Sequence, residues 1–142
     1  VQGTLRCSCD DKNVYFLVEV LDRSLLRGDY ATVYLSPDDS KSLANGAKRI
    51  QVSMDGLKST ETYAGKWNSA EMGVEVKTYV CNDTNEDRID NYGYIAEISI
   101  PRSSLTISSG QVLVNFSITD NKEEEAVSDV SSISRWIPVA GL

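Results

Sequence analysis

The chain contains no histidine, so acid–base or nucleophilic chemistry would have to come from carboxylates, Lys, Tyr or Cys. The absence of imidazole removes Ser-His-Asp and Cys-His catalysis, the usual zinc enzymes and His-ligated haem. Among the carboxylates, Glu19 and Glu97 are candidates for glycoside hydrolysis, which needs two such groups about 5–9.5 Å apart in a cleft. Both fall on outward-facing positions of predicted strands, and no insertion is present that would build a cleft. The sequence therefore predicts a protein that is not an enzyme.

Aromatic side chains near amides point to another kind of chemistry, the binding of a polyhydroxylated ligand. An aromatic ring stacks on the apolar face of a sugar, while carboxylates, amides and guanidinium groups meet its hydroxyls. Trp67 lies in a predicted polar loop with Tyr63 nearby, where packing at a sheet edge is the alternative interpretation. Tyr79 and Asn115 face outward from two predicted strands. If those strands are neighbours, the two residues line one open polar face that could hold a glycan; otherwise the face is ordinary solvated surface.

Several aspartates have the chemistry of calcium ligands. Calcium takes six to eight oxygens from carboxylates and carbonyls. Asp22 with Asp29 could supply them, and so could Asp83, Asp87 and Asp90. None of these groups has the spacing of an EF-hand, so the sequence leaves the choice open.

Size and charge exclude several classes of protein. The chain has 142 residues, which is one domain, and its 14 Lys and Arg against 21 Asp and Glu give a net charge of −7. Such a surface repels nucleic acid and anionic membranes. No apolar run has the length of a membrane helix. Because the chain begins with Val1 rather than Met, we interpret it as a processed protein or a module excised from a larger one.

The three cysteines leave the redox compartment open. Cys7 and Cys9 are two residues apart, so on a strand they share a face and would bridge each other only with strain. One of them could pair with Cys81, which would leave an odd thiol, or all three are small buried hydrophobic residues.

Alternation of apolar and polar residues with a period of two dominates the chain and predicts many strands. Turn residues such as Asn45-Gly46 and Asp55-Gly56 separate these runs, and no stretch has a helical stripe beyond one short turn near Ser103 to Leu105. Two polar segments, Asn82 to Asn91 and Asn121 to Ser132, are predicted loops. We therefore expect an all-β fold, a two-sheet antiparallel β-sandwich of the jelly-roll-like kind. The apolar positions that carry the alternation are Val14, Phe16, Val18 and Val20; Ala31, Val33 and Leu35; Ile50, Val52 and Met54; Val74, Val76 and Val80; Tyr94, Ala96, Ile98 and Ile100; and Val112, Val114, Phe116 and Ile118.

Five ordered landmarks resemble the family 9 carbohydrate-binding modules and their DOMON-like relatives. The segment from Asp10 to Asp22 resembles the acidic hairpin, "LY" strand and terminal Asp of that family, and Gly28 to Leu35 resembles its "D-S-V-E-I-F" strand. Gly93 to Pro101 resembles the "G-Y-x-x-E-x-x-I-P" strand, Val114 to Asp120 the "G-F-N-x-x-x-x-D" strand, and Arg135-Trp136 the closing Trp. Together the landmarks cover most of residues 5–138.

The resemblance implies a sandwich that binds sugar, often with structural calcium, and that is often attached to extracellular polysaccharide-degrading enzymes. It makes Trp67 and Trp136 the counterparts of the family's sugar-clamping tryptophans, with hydrogen bonds from Arg49, Asn115 and Asp120. Haem binding, which DOMON domains achieve with Met and His, is not expected without histidine.

The chain departs from the family pattern at two positions. Thr32 occupies the place of the family's sugar-binding Glu, and Gln51 the place of an Arg, although Arg49 lies two residues away on the same face. The family's first strand, with its Asp-Gly and Trp, is also missing from the chain.

We therefore expect residues 1–142 to form a single non-catalytic carbohydrate-binding module of a larger extracellular or cell-surface protein that acts on polysaccharide. Its partners would be a polysaccharide or oligosaccharide and other domains of the same polypeptide, with no nucleic acid and no membrane insertion. The alternative is a structural spacer or protein-interaction domain of the same fold without a sugar site. The expected ligand-binding residues are Trp67, Trp136, Tyr79, Arg49, Asn115 and Asp120, and the expected calcium ligands are Asp22 and Asp29.

Overall fold

Two antiparallel sheets form the fold, as the alternating sequence predicts. A computed structural model describes residues 2–22, 28–37, 43–85, 88–107, 110–119, 137–140 and 142. In these residues the strands form a four-stranded sheet in the order β1-β2-β8-β7 and a six-stranded sheet in the order β10-β9-β3-β4-β5-β6. The strands are β1 (Gln2–Cys9), β2 (Asn13–Leu21), β3 (Tyr30–Ser36), β4 (Lys48–Ser53), β5 (Gly56–Tyr63), β6 (Trp67–Ser69), β7 (Glu75–Asn85), β8 (Arg88–Pro101), β9 (Gln111–Thr119) and β10 (Ile137–Ala140).

The core lies between the two sheets and consists largely of the predicted apolar positions, but Val80 is 42% exposed, so the prediction is wrong for that residue. Strand β2 alternates strictly between buried and half-buried residues until Leu21, because each successive side chain points to the opposite face of a strand. Burial of these side chains is the main favourable contribution to folding. The central residues of the core are Val14, Phe16, Val18, Val20, Ala31, Val33, Leu35, Ile50, Val52, Tyr94, Ala96, Ile98 and Ile100.

Strand β3 differs from the expected pattern because both of its faces are buried. The sequence predicts that Thr32 and Tyr34 face outward, yet only 1% of each remains exposed. The strand lies at the centre of the six-stranded sheet, between β4 and β9, so side chains from both neighbours cover its outer face. Three of the predicted ligand-binding residues, Arg49, Trp67 and Asn115, lie on this outer face, which is built of polar and aromatic residues.

Two predicted loops are strands in the structure. Trp67 begins the short edge strand β6, where it pairs with Tyr63 across the sheet. In the polar segment Asn82 to Asn91, residues 82–85 extend β7 and residues 88–91 extend β8, with Asp83 opposite Asp90, after a register shift between Cys81 and Asn82. Cross-strand hydrogen bonds hold such a ribbon without an apolar face, so alternation alone does not reveal it. The predicted turn near Ser103 is present as a short 3₁₀ helix, Arg102–Ser104.

The cysteines are separated by the sheet. Cys7 and Cys9 lie on β1 and Cys81 on β7, which are the two edges of the four-stranded sheet. Three strand spacings of about 4.8 Å lie between them, far more than the reach of a disulfide. None of the three forms a disulfide within the described residues, and Cys7 and Cys9 are exposed, so the expectation of small buried residues is wrong for these two.

Gly93 fixes the pairing of β2 with β8. Its backbone has φ of 138°, and a Cβ there would overlap the carbonyl oxygen of Val20. Only glycine allows the two strands to approach this closely. The following residue, Tyr94, is fully buried and begins the core-facing row of β8.

Candidate functional site

The outer face of the six-stranded sheet carries two rows of polar side chains that the strand register brings side by side. We call this surface the polar face. Residues directly opposite each other on neighbouring antiparallel strands point to the same side of a sheet. The first row runs across Asn115, Tyr34, Arg49, Glu61 and Ser69, and the second across Ser117, Thr32, Gln51 and Ser59.

A bidentate ion pair lies at the centre of the polar face. Arg49 Nη2 donates to Glu61 Oε2 at 2.8 Å, and Arg49 Nε donates to Glu61 Oε1 at 3.1 Å. The side chains are only 8% and 17% exposed. A paired guanidinium and carboxylate in this fork geometry hold each other in one orientation, more rigidly than a single hydrogen bond does.

Trp67 covers the ion pair and belongs to an aromatic cluster. The guanidinium carbon of Arg49 lies 4.5 Å from the centroid of the indole, a cation–π contact. Tyr63 meets the indole edge-on with the ring centroids 5.3 Å apart, and Tyr34 lies tilted at 6.2 Å. Because Trp67 is half-buried, part of the indole remains accessible to solvent. The cluster therefore combines an accessible ring with a fixed charged pair.

Hydrogen bonds connect the ion pair to the second row. The Ser59 hydroxyl lies 2.9 Å from Gln51 Oε1 and 3.2 Å from Glu61 Oε1, and it can donate to one of them at a time. Gln51 Nε2 donates to Thr32 Oγ1 at 3.4 Å. The charged pair, the amide and the hydroxyls thus form one continuous network. Such a network can hold donors and acceptors in place for the hydroxyls of a ligand.

The structure brings together three of the predicted ligand-binding residues. Trp67 and Arg49 are in contact, and Asn115 lies in the same row, opposite Tyr34. The Asn115 side chain is half-buried, and its Oδ1 accepts a hydrogen bond from the Phe116 backbone N–H at 2.8 Å.

The other three predicted residues are not placed with them. Tyr79 is 52% exposed on β7, in the other sheet. The shared face expected for Tyr79 and Asn115 does not form, because β7 and β9 belong to different sheets. Asp120 and Trp136 lie outside the described residues, and their roles stay predictions.

Two residues of the hydrogen-bond network on the polar face are not predicted from the sequence. Glu61 is the partner of Arg49, and Ser59 links it to Gln51. Residues 59–62 are all polar and burial along β5 does not alternate, so no local pattern marks Ser59 and Glu61. Their place on the polar face depends on the register of β4 with β5, which opposes Arg49 and Glu61.

The predicted calcium ligands lie at the end of the core, next to Tyr94. Asp22 and Asp29 are 6% and 2% exposed, and both are near enough to Tyr94 to affect its ionisation. Burial raises the pKa of the Tyr94 hydroxyl, and the negative charges of Asp29 and then Asp22 raise it further. Two buried carboxylates at one place suit a cation, and backbone carbonyls could complete its shell. Among the described residues there is no group of three or more Asp, Glu, Cys or His with the geometry of a metal site.

The other set of candidate calcium ligands is only partly described. Asp83 and Asp90 face each other in the register of the β7–β8 hairpin, and Asp87 lies outside the described residues.

In sequence, the chain is similar to a stretch of the endo-1,4-beta-xylanase C of Paenibacillus barcinonensis. The two are 28% identical over 121 residues, which are 84% of this chain and 10% of that protein. The chain thus spans about a tenth of the length of the relative that it matches. No family model and no solved structure matches the chain. Within the described residues, no helix has the length and hydropathy needed to cross a membrane.

Proposed function

We propose that the chain is a non-catalytic glycan-binding module that holds a larger polysaccharide-active protein near its substrate. The observation that carries this proposal is the extent of the similarity: nearly the whole chain aligns, but with only a tenth of a protein named as a xylanase. A stretch of that size is small compared with the remainder of the relative, as expected for an accessory domain. The resemblance to family 9 carbohydrate-binding modules supports the same role, with a β-1,4-linked xylan as the first ligand to test.

The site we propose is the polar face around Trp67. The indole offers a ring on which a sugar can stack, and Tyr63 and Arg49 fix its orientation. The Arg49–Glu61 pair presents charged donors and acceptors that are already oriented, so little conformational entropy is lost when a hydroxyl binds. Asn115 lies in the same row and extends the surface by one amide. In this proposal Asp120 and Trp136 complete the site.

A catalytic role is disfavoured by where the candidate carboxylates lie. Glu19 and Glu97 are diagonal neighbours on the outer face of the four-stranded sheet, since Glu19 pairs with Ile95 and Glu97 with Leu17. Only Glu97 of the two lines the concave surface on that sheet, so the pair does not share a cleft. The proposal also places the parent protein outside the cell or on its surface, with its other domains as partners.

Affinity electrophoresis in gels that contain soluble xylan tests the proposal. We expect the wild-type chain to be retarded and Trp67→Ala to bind about tenfold more weakly or worse, because aromatic anchors dominate binding energies. Tyr79→Ala is the matched control. It removes an exposed ring from the other sheet and should be retarded as strongly as the wild type. Thermal denaturation of each variant checks that it is folded.

Three results would contradict the proposal in different ways. Undiminished binding by Trp67→Ala removes this residue from the site. New reducing ends in xylan incubated with the wild type, lost in Glu97→Gln, would show an enzyme. No retardation in xylan, cellulose derivatives or other soluble glycans would favour a structural spacer.

The spacer alternative has its own support in the burial of the polar face. Arg49 and Gln51 are only 7% and 6% exposed, and both are hydrogen-bonded within the protein. A network of this kind can serve stability alone. The binding experiment separates the two functions. If the network is purely structural, Trp67→Ala lowers the thermal stability of the protein but does not weaken its binding to any glycan.

We also propose that Asp22 and Asp29 hold a structural calcium ion. Carboxylate oxygens are the ligands that calcium prefers, and these two buried carboxylates lie near the same residue, Tyr94. Added calcium should raise the midpoint of thermal unfolding of the wild type after treatment with a chelator, since a ligand that binds only the folded state stabilises it. In Asp29→Asn the shift should disappear, while in Asp55→Asn, an exposed turn residue, it should persist. Equal shifts in both variants, or none in the wild type, would contradict calcium binding at this place.

A further inference from the structure

A second concave surface lies on the opposite side of the molecule, over the outer face of the four-stranded sheet. We call it the groove. It has a volume of about 910 Å³, which is within the range of ligand-binding sites in proteins. Its floor crosses all four strands and reaches both edge strands, β1 and β7, and Leu57 of β5, from the other sheet, also lines it. One row of the floor runs across Arg6, Leu17, Glu97 and Lys77, and the next across Ser8, Tyr15, Ser99 and Glu75.

Four charged side chains line the groove. Arg6, Glu75, Lys77 and Glu97 are all exposed. Within the described part of the chain, no ion pair or side-chain hydrogen bond joins any of the four to another residue. Lys77 and Glu97 are directly opposite each other in the register, yet no ion pair within 4.0 Å forms between them. Their hydrogen-bonding capacity is therefore available to a ligand.

The floor between these charges is less polar and is held in place. Tyr15 and Leu17 are half-buried and lie at the middle of the two rows. The Tyr15 hydroxyl donates to Asp10 Oδ2 at 2.5 Å, and Asp10 in turn accepts hydrogen bonds from the backbone N–H groups of Lys12 and Asn13. The phenol ring is thus anchored at the β1–β2 turn. A fixed ring flanked by hydroxyls and charges is the same combination that suits a sugar.

The charges of the groove favour a polyhydroxylated ligand over a protein. Two cations and two carboxylates cancel, so the groove is locally neutral in a protein of net charge −7. The core of a protein interface is depleted of charged residues, because each unpaired charge would lose its hydration. Sugar hydroxyls, in contrast, donate to carboxylates and accept from ammonium and guanidinium groups, and they leave part of each charge in water.

We propose that the groove is a second glycan-binding site, which takes a neutral linear oligosaccharide or a segment of a longer chain. This inference rests on the proposed glycan-binding function and extends it. Because the groove reaches both edges of the sheet, a chain longer than the groove can continue past either edge. The two sites face away from each other on opposite sheets, so one module would hold two polysaccharide segments and gain avidity on a polymer.

The test is a titration of the ¹⁵N-labelled protein with xylohexaose, followed by NMR. We expect two separate sets of shifted amides, one around Leu17, Lys77 and Glu97 and the other around Arg49 and Trp67. In Glu97→Gln the affinity of the first set should fall about tenfold, because a charged acceptor is lost, while the second set is unchanged. Glu19→Gln is the matched control, since Glu19 lies on the same sheet face but does not line the groove. Trp67→Ala should affect only the second set.

The outcomes separate this inference from the proposed function. Shifts confined to the set around Arg49 and Trp67 would overturn the groove as a site and leave the polar face intact. Shifts confined to the groove would support it and overturn the polar face. An equal loss of affinity for xylohexaose in Glu19→Gln and Glu97→Gln would contradict the specific role of the groove lining. No shift in either set would contradict both proposals, and shortening of the hexaose that Glu97→Gln abolishes would replace binding in the groove with catalysis.

Discussion

The polar face and the groove use the same kinds of side chain and differ in how these are covered. On the polar face, Arg49 and Glu61 are directly opposite each other and form a bidentate pair beneath Trp67. In the groove, Lys77 and Glu97 are also directly opposite each other, but they remain exposed and unpaired. Register places opposite charges side by side in both sheets. The ion pair forms where an aromatic ring covers the charges, and exclusion of water strengthens such an attraction.

This difference separates a rigid surface from an adaptable one. The polar face has its donors and acceptors oriented before any ligand arrives, so it suits a ligand of one geometry. The groove keeps its charges hydrated, and a ligand must reorganise them, so weaker and less selective binding is expected there. The comparison can be tested without knowledge of the ligand, because pairing and burial also affect stability.

Removal of one partner of the ion pair should have the largest effect. In Glu61→Ala the guanidinium of Arg49 is left under Trp67 without its carboxylate, and we expect a loss of about 2–3 kcal/mol in the free energy of unfolding. Glu97→Ala, the matched change in the groove, should lie within about 0.5 kcal/mol of wild type, because an exposed unpaired carboxylate contributes little. Urea denaturation at neutral pH measures both. Equal losses in the free energy of unfolding of the two variants would show that the ion pair of the polar face contributes no more to stability than the exposed charges of the groove.

A conservative change separates geometry from charge on the polar face. Arg49→Lys keeps the positive charge but loses the two-pronged contact with Glu61 and the flat guanidinium against Trp67, so we expect a loss of about 1 kcal/mol. The control is Lys77→Arg in the groove, where no such contacts exist. The same urea experiment detects the difference. An Arg49→Lys protein as stable as wild type would mean that charge alone holds the pair.

The fold could be predicted from the sequence, whereas the site could be predicted only in part. Alternation in β2 and β8 identifies their core residues, because one buried face per strand is a strictly local signal. The meeting of Arg49 with Glu61 depends on the register of β4 and β5, which a hairpin turn and a register shift after Gln51 decide. Trp67 was assigned to a loop because a three-residue edge strand has too few positions to show alternation.

The errors on the other sheet have a different cause. Tyr79 and Asn115 both face outward, but strand order, which places β7 and β9 in separate sheets, is a long-range property. The groove was not predicted for the same reason: its lining combines the β1–β2 pair, the β7–β8 pair and Leu57 of β5, which are far apart in sequence.

The smallest expected effect concerns the turn that anchors Tyr15 at the groove. Three hydrogen bonds lower the pKa of Asp10 below its ordinary value of 3.8. The bond from the Tyr15 hydroxyl has the largest effect, and those from the backbone N–H groups of Asn13 and Lys12 have smaller effects. A carboxyl with a lower pKa in the folded state stabilises the fold above pH 3.8, and this contribution is lost as the pH falls through the folded pKa. Asp10→Asn should therefore show a shallower decline in thermal midpoint between pH 5 and pH 2.5 than wild type. Parallel curves would show that the anchor does not form in solution.

The most direct test of the account is a crystal structure of the chain with xylohexaose bound. We expect an intact sugar chain with one ring against the accessible side of Trp67 and hydroxyls within hydrogen-bonding distance of the Arg49–Glu61 pair. A cleaved ligand, or a well-occupied sugar that contacts no residue of the polar face, would contradict the proposed function.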